Sequence, residues 1–305
     1  MNVQSDVKAA AAVPHLIKRD ALTPVLVTLG ASVIAIKAGT VFNGATFADE
    51  TVVSAGDKID EPGRDYVVIV SESGLPEVRQ LAGMPAGGNT LGGFHLAPGG
   101  NANSRKGGDT APAINPHSLW DQNFRPACPD PRGMALIEGP HGHRFWCDIY
   151  LLGVDHIADG TSKFGVRIAD GSDCPTDPAT SKKFKRFEYQ NALDVMAHHG
   201  KQLLSFEEFA HSAYGVTEKT SAEDDPVATK LDAPRTSKFG IMQATGNLWV
   251  WGHDGDPDEP RASILGGSWW AGDYAGSRYA DVDHWAGFSD GSLGARGRSD
   301  HLQPG

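Results

Sequence analysis

The segment from Ser268 to Ser292 concentrates the side chains best suited to molecular contact. Six of its 25 residues are aromatic, against 8% for the chain, and they alternate with four Gly, four Ser and four Asp. Five of the seven tryptophans lie between Trp249 and Trp285, and no lysine follows Lys238. Rigid amphipathic rings with small spacers and few lysines make contact surfaces that lose little entropy on binding. Trp270, Tyr274, Trp285 and Phe288 stand beside Asp and Ser in loop context, which predicts exposure and contact. Trp249, Trp251 and Trp269 lie near glycines in strand-like frames, which predicts core positions.

Other candidate chemistry is weaker. The cysteines are Cys128, Cys147 and Cys174. Their odd number and the lack of CxxC argue against a disulfide framework or a Cys-rich zinc site, and fit assembly in a reducing cytoplasm. His141 and His143 follow Gly139-Pro140 and read as surface turn residues. His198 and His199 are adjacent on a helix and point to different sides, so they do not easily share one metal. Asp254-Gly255-Asp256-Pro257-Asp258-Glu259 offers oxygen ligands of the kind a divalent cation takes. It reads first as an exposed acidic loop, with an unassigned cation as the alternative. No Ser-His-Asp set stands out, and no catalytic residue, cofactor or metal site is expected.

These residues need a frame. The expected fold class is α+β: a small N-terminal β-domain, then a larger domain with two helices and short, loop-rich strands. Residues 1–20 read as a flexible or partner-ordered N-terminal arm. Residues 21–82 hold β-branched runs at Val25–Val27, Val33–Ile36, Thr51–Val53 and Tyr66–Val70, broken by Gly30, Gly39, Asn43-Gly44 and Pro62-Gly63. That pattern is a small β-domain, whose edges oligomerisation would cover. Residues 83–112 carry four Gly-Gly pairs and read as a linker. Residues 113–305 form the second domain. There Tyr189, Ala192, Leu193 and Met196 share one helical face, with Gly200 as the stop. Ser205 and Glu208 make a capping box for a second helix, whose face is Phe206, Phe209, Ala210 and Ala213. Residues 216–238 are polar and read as an exposed loop.

Charge narrows the partners. Lys plus Arg number 27 and Asp plus Glu 38, a formal charge of −11. This argues against nucleic acid and against a polybasic membrane contact. The longest apolar stretch, Val25 to Ile36, is broken by Thr28, Gly30 and Ser32, so no membrane insertion is expected. Ala9–Val13 is too short and weakly apolar for a signal peptide.

Several motifs then resemble a known family. Gly200-Lys201-Gln202-Leu203-Leu204-Ser205-Phe206-Glu207-Glu208-Phe209 resembles the helix entry of the formylglycine-generating-enzyme branch of the C-type lectin fold. Gly246-Asn247-Leu248-Trp249-Val250-Trp251, Leu265-Gly266-Gly267-Ser268-Trp269 and Gly294-Ala295-Arg296-Gly297 resemble its later strands. More narrowly, Gly266-Gly267-Ser268-Trp269, Gly276-Ser277-Arg278, and Gly294-Ala295-Arg296-Gly297 followed by Asp300-His301-Leu302 are similar to the phage major tropism determinant family. So are Leu119-Trp120-Asp121 and the run Arg125 to Met134. These are receptor-binding tail-tip proteins varied by a diversity-generating retroelement.

The resemblance implies a homotrimer in the virion, on a phage tail tip or fibre, joined to other tail proteins through its N-terminal region. Its partner would be a bacterial surface receptor: a protein, a pilus or a glycan. The receptor-binding positions it implies are Ser268, Trp270, Ala271, Tyr274, Asp281, Asp283, His284, Trp285, Phe288, Asp290 and Ser292. Gly266, Gly267, Trp269, Arg278 and Arg296 would be scaffold, beside Trp249 and Trp251. The oxidase chemistry of the wider fold needs a C-terminal cysteine pair, and no cysteine follows Cys174. Asn247-Leu248-Trp249 departs from the Trp-Asn-Asp strand of calcium-dependent sugar binders, though aromatic stacking on sugar stays open. The β-helix repeats of tail depolymerases are absent. A structural tail-fibre component, or a sugar-binding module without enzymatic activity, are the alternatives.

Overall fold

The computed structural model describes residues 15–54, 56–85, 88–257 and 261–302. β1 (Leu16–Ile17), β2 (Leu26–Gly30), β3 (Val33–Ile36), β4 (Thr40–Phe42), β5 (Ala45–Phe47) and β6 (Thr51–Val52) form two antiparallel sheets, ordered β1-β4-β5 and β2-β3-β6. Asn43-Gly44 turns β4 into β5 with φ of 48° and 90°, pairing Phe42 with Ala45. A two-residue hairpin that follows strand twist needs two positive-φ residues, and Asn-Gly supplies them at low steric cost.

β7 (Arg64–Val70), β8 (Pro76–Gln80), β9 (Thr90–Ala97), β10 (Ala113–Ile114) and β11 (Trp120–Asp121) make a five-stranded sheet with β9 at its centre. Two expectations are corrected here. The Gly-rich segment 83–112 is not a simple linker, because every residue of β9 is buried. Its glycines permit close approach: a Cβ on Gly92 would lie 2.2 Å from the Trp120 carbonyl oxygen, and one on Gly93 would lie 2.7 Å from the Trp120 ring. The arm is likewise docked where it is described. β1 pairs with β4, and the Lys18 ammonium sits 3.0 Å from the buried Asp121 carboxylate. Residues 1–14 of the arm lie outside the described residues.

The second half adds β12 (Met134–Glu138), β13 (Arg144–Asp148), α1 (His156–Asp159), α2 (Tyr189–His198), β14 (Gln202–Leu203), α3 (Phe206–Ser212), β15 (Trp249–Gly252), β16 (Ser263–Leu265), β17 (Ala280–Asp281), β18 (Leu293–Gly294) and β19 (Gly297–Asp300). Its sheets run β12-β13-β19-β14 and β17-β16-β15-β18. α2 buries Tyr189, Ala192 and Met196, as their spacing predicts, and Gly200 follows at φ 67°. α3 opens on the predicted capping box, with Ser205 Oγ accepting from the Glu208 amide and Glu208 Oε2 from the Ser205 amide. The predicted exposed loop at 216–238 is instead largely packed: Thr229, Thr236 and Ser237 are buried. Their hydroxyls bond the chain to itself, as when Thr229 Oγ1 donates to the Lys163 carbonyl at 2.7 Å. Polar side chains of this kind turn a hydrophilic sequence inward once backbone partners exist.

One apolar cluster joins the halves: Val67 and Trp120 from the first pack with Met134, Leu136 and Trp146 from the second. A buried polar network ties the second half together. The Arg296 guanidinium donates to the carbonyls of Asp148, Ile149, Met242 and Gln243 at 2.7–3.2 Å. Asp148 accepts from Lys201 Nζ at 2.6 Å and from the Gly297 amide at 3.1 Å. Burial pulls the Lys201 pKa down, but Asp148 beside it outweighs that and leaves it raised. The C-terminal Gly-Ala-Arg-Gly run is thus a clamp that fastens β19 to β13.

Candidate functional site

The face is built from the connections that leave β16 and return through β17 to β18. Gly266 and Gly267, at φ +94° and +81°, turn the chain out of β16. A Cβ on Gly266 would press the Phe209 ring at 2.7 Å, and one on Gly267 would meet Ala275 at the same distance. The loop then runs out through Ser268 to Tyr274. It closes on itself where the Gly276 amide donates to Gly266 O at 3.0 Å and the Gly266 amide to Tyr279 O at 2.8 Å. The Glu218 carboxylate pins the return: Oε2 accepts from the Ser277 amide at 3.0 Å and Oε1 from the Ser277 hydroxyl.

The second loop, 282–292, is fastened to the approach to α2. The Tyr189 amide donates to Ala286 O at 3.1 Å, the Phe187 amide to Ser289 Oγ at 2.8 Å, and Arg186 Nη2 to Gly287 O. His284 Nδ1 lies 2.9 Å from Asp281 Oδ2, and its ring meets Phe288 edge-on with centroids 5.0 Å apart. Both loops therefore present their side chains from a fixed backbone, as binding loops on a rigid scaffold do.

The sequence-predicted residues divide on this frame. Trp270, Tyr274 and Trp285 are 63%, 73% and 69% exposed. Asp281, Asp283 and Asp290 are exposed, and Ala271 and His284 are half-buried. Phe288 is half-buried and packs on the core beneath. Ser268 and Ser292 are corrections: both are buried, so neither side chain is presented to a partner. Of the scaffold positions, Trp251 and Arg296 are fully buried, Gly266 and Gly267 hold the turn, and Trp249 and Trp269 are partly buried. Arg278 is the other correction. It is exposed and forms no hydrogen bond or ion pair among the described residues. The sequence reading missed Glu218, Arg186 and Phe187, which brace the loops from 59 or more positions away. No local signal marks such partners.

The alternative chemistries find little support. Burial raises the pKa of all three cysteines, that of Cys147 to about 12, so their thiols are protonated at neutral pH. His199 turns to buried His156 at 2.9 Å, while His198 is exposed. Asp254 accepts from the Phe206 amide at the start of α3, and Asp258 and Glu259 lie outside the described residues. No group of three or more metal-ligating side chains gathers among the described residues.

Comparison with known proteins decides the family. The chain is 37% identical to a tail fiber receptor-binding protein of Bordetella phage BPP-1, over 94% of this chain and 84% of the relative. The chain belongs to the major tropism determinant family. Its second-domain family, described as the Mtd second domain, matches residues 24–121. That span runs through β9 to β11, in line with the five-stranded sheet rather than a break at residue 82. Solved structures of the Major Tropism Determinant U1 and M1 variants superpose with TM-scores of 0.85 and 0.86 at 35% identity. They cover 95% and 96% of this chain, and the chain covers 86% and 87% of theirs. The chain shares the family's C-type lectin-like architecture, mostly sheet with three helices among the described residues. No helix among those residues is long and apolar enough to cross a membrane.

Proposed function

We propose that this chain is the receptor-binding protein of a phage tail fibre, a virion adhesin that recognises a bacterial surface receptor. One observation carries the reading of the contact: Trp270, Tyr274 and Trp285 are each exposed, on two loops whose backbones are braced by the rest of the fold. Large exposed rings on a stiff frame are the usual anchors of an interface, and the surrounding polar groups select the partner. Asp281, Asp283, His284 and Asp290 have that second role here, with Ala271 as a small apolar contact, and Phe288 supports them. The mechanism is binding without chemistry. The buried, protonated thiols and the similarity to a tail fiber receptor-binding protein both support it.

The N-terminal sheets serve assembly. Their strands leave Ile17, Leu29, Val33 and Val52 exposed, and the neighbouring turns leave Leu22 and Leu75 exposed, apolar surface suited to burial against further copies and tail proteins. A homotrimer would multiply weak single contacts on a surface where receptors repeat. Binding of labelled protein to a panel of bacterial strains tests the reading. A variant with Trp270, Tyr274 and Trp285 changed to alanine runs beside it, after both show the same thermal melt. Strain-selective adhesion lost in the variant is the expected result. Equal adhesion by both proteins would remove the function from this face.

A further inference from the structure

Beside the aromatic face lies a cavity of about 360 Å³, lined by Arg105, Glu218, Lys219, Arg278 and Tyr279. Its charge runs against that of the molecule. Three of the five lining residues are cationic and one is acidic, in a chain of net charge −11. The one carboxylate is already engaged, since both Glu218 oxygens accept from Ser277. Arg105 is held in place by the Tyr214 ring, 4.6 Å below its guanidinium, and by Glu218 Oε1 at 3.7 Å.

The other two cations have nothing to answer them. Arg278 and Lys219 are exposed, and neither side chain has an ion-pair partner among the described residues. Lys219 also holds a left-handed backbone, φ 58°, and its amide donates to Ala275 O at 2.8 Å. A lysine in that conformation is a local cost that neighbouring structure must sustain. Tyr279 walls the cavity and meets Tyr274 of the face edge-on, with centroids 6.3 Å apart. The cavity therefore adjoins the aromatic loop at Tyr274.

We propose that this cavity is a subsite for an acidic saccharide of the bacterial surface, one whose rings carry carboxylate or phosphate groups. The inference rests on the receptor-binding reading above. Arg278 and Lys219 pair with the acidic group, Arg105 completes the positive rim, and the tyrosines take the apolar face of the ring. The volume is that of a small-ligand site. Acidity of the molecule as a whole does not oppose this, because screening confines charge effects to about 10 Å at 0.1 M salt.

The test is calorimetric titration of the full chain with three probes: a galacturonic acid oligomer, a glycerol phosphate oligomer and a neutral galactose oligomer. The expected result is binding of one or both acidic probes, weakened by added salt, and none of the neutral one. Binding of one acidic probe alone identifies the charged group, and binding of both means that carboxylate and phosphate are each accepted. Arg278→Ala and Lys219→Asn should each weaken that binding about tenfold, the value of one charge-assisted contact. Both side chains are exposed and unpaired, and Asn tolerates the left-handed backbone, so the variants keep the fold. Failure of both acidic probes, equal binding of the neutral probe, or full affinity in a variant carrying both Arg278→Ala and Lys219→Asn would each overturn the subsite. Adhesion to cells is scored separately with the alanine variant of Trp270, Tyr274 and Trp285. Cell adhesion without acidic-probe binding sinks the subsite alone, and acidic-probe binding by a chain that adheres to no strain supports the subsite alone.

Discussion

Replacing Trp285 by alanine separates contact from framework most directly. The side chain is 69% exposed, and the loop bond at this position, from the Phe288 amide, ends on its backbone oxygen. Alanine keeps that bond, so stability should change by no more than about 0.5 kcal/mol. A tryptophan offers up to about 250 Å² to a partner, which leaves roughly 170 Å² available here. At about 25 cal/mol per Å² that surface is worth at most about 4 kcal/mol. Ordering and desolvation on binding reduce the sum, so a loss of about 2 kcal/mol is expected, roughly thirtyfold in affinity. Avidity in a multimer would enlarge the loss seen on cells. Trp251→Ala is the matched control. That ring is fully buried, and its removal should cost about 3–5 kcal/mol of stability. The assay is saturation binding of labelled protein to receptive cells, paired with thermal melts. Wild-type affinity in the Trp285 variant, with an unchanged melt, would refute the assignment of this ring as an anchor.

Three further outcomes follow from the frame. Lys201→Met leaves the Asp148 carboxylate buried without its cation and should cost about 3–5 kcal/mol, read as an early denaturant midpoint. Gly93→Ala forces a Cβ to within 2.7 Å of the Trp120 ring and Tyr66 O in a closed strand. Overpacking of this kind should cost about 1–3 kcal/mol or more, and a melt at or above wild type would contradict it. The His156–His199 pair should set acid stability. His156 Nε2–H donates to Thr176 O, so its Nδ1 accepts from His199. Burial, then the neighbouring His156, Lys201 and His198, press the His199 pKa from 6.5 to about 3. Unfolded chains bind that proton below pH 6.5 while the folded one refuses it. Stability is therefore full above pH 6.5 and falls toward pH 3, by about 1.4 kcal/mol per pH unit per proton. His199→Gln keeps a donor to His156 without titrating, and should flatten that slope in melts between those limits.

The sequence by itself determined the features that arise within a few residues. The apolar spacing of Tyr189, Ala192 and Met196 specifies α2, because one helical face must meet the core. Ser205 and Glu208 specify the start of α3, because they satisfy its first free amides. Asn43-Gly44 specifies a hairpin, and the small polar neighbours of Trp270, Tyr274 and Trp285 mark them as loop residues that reach solvent. The motifs from Gly266 to Leu302 carried the family as well.

Tertiary structure alone decided what depends on distant partners. Gly92 and Gly93 look like linker glycines until Trp120 is seen to cross them. Ser268 and Ser292 look like contact residues in a variable stretch, yet the packed sheet buries them. Arg278 looks like framework, yet it stands free at the rim of a cavity formed with Arg105 and Lys219. Glu218 reaches Ser277 across 59 positions. Propensity, periodicity and capping are local energies that a short window contains. Burial and charge pairing depend on which surfaces the finished fold brings together, and a polar loop such as 216–238 turns inward only when those surfaces supply its hydrogen bonds.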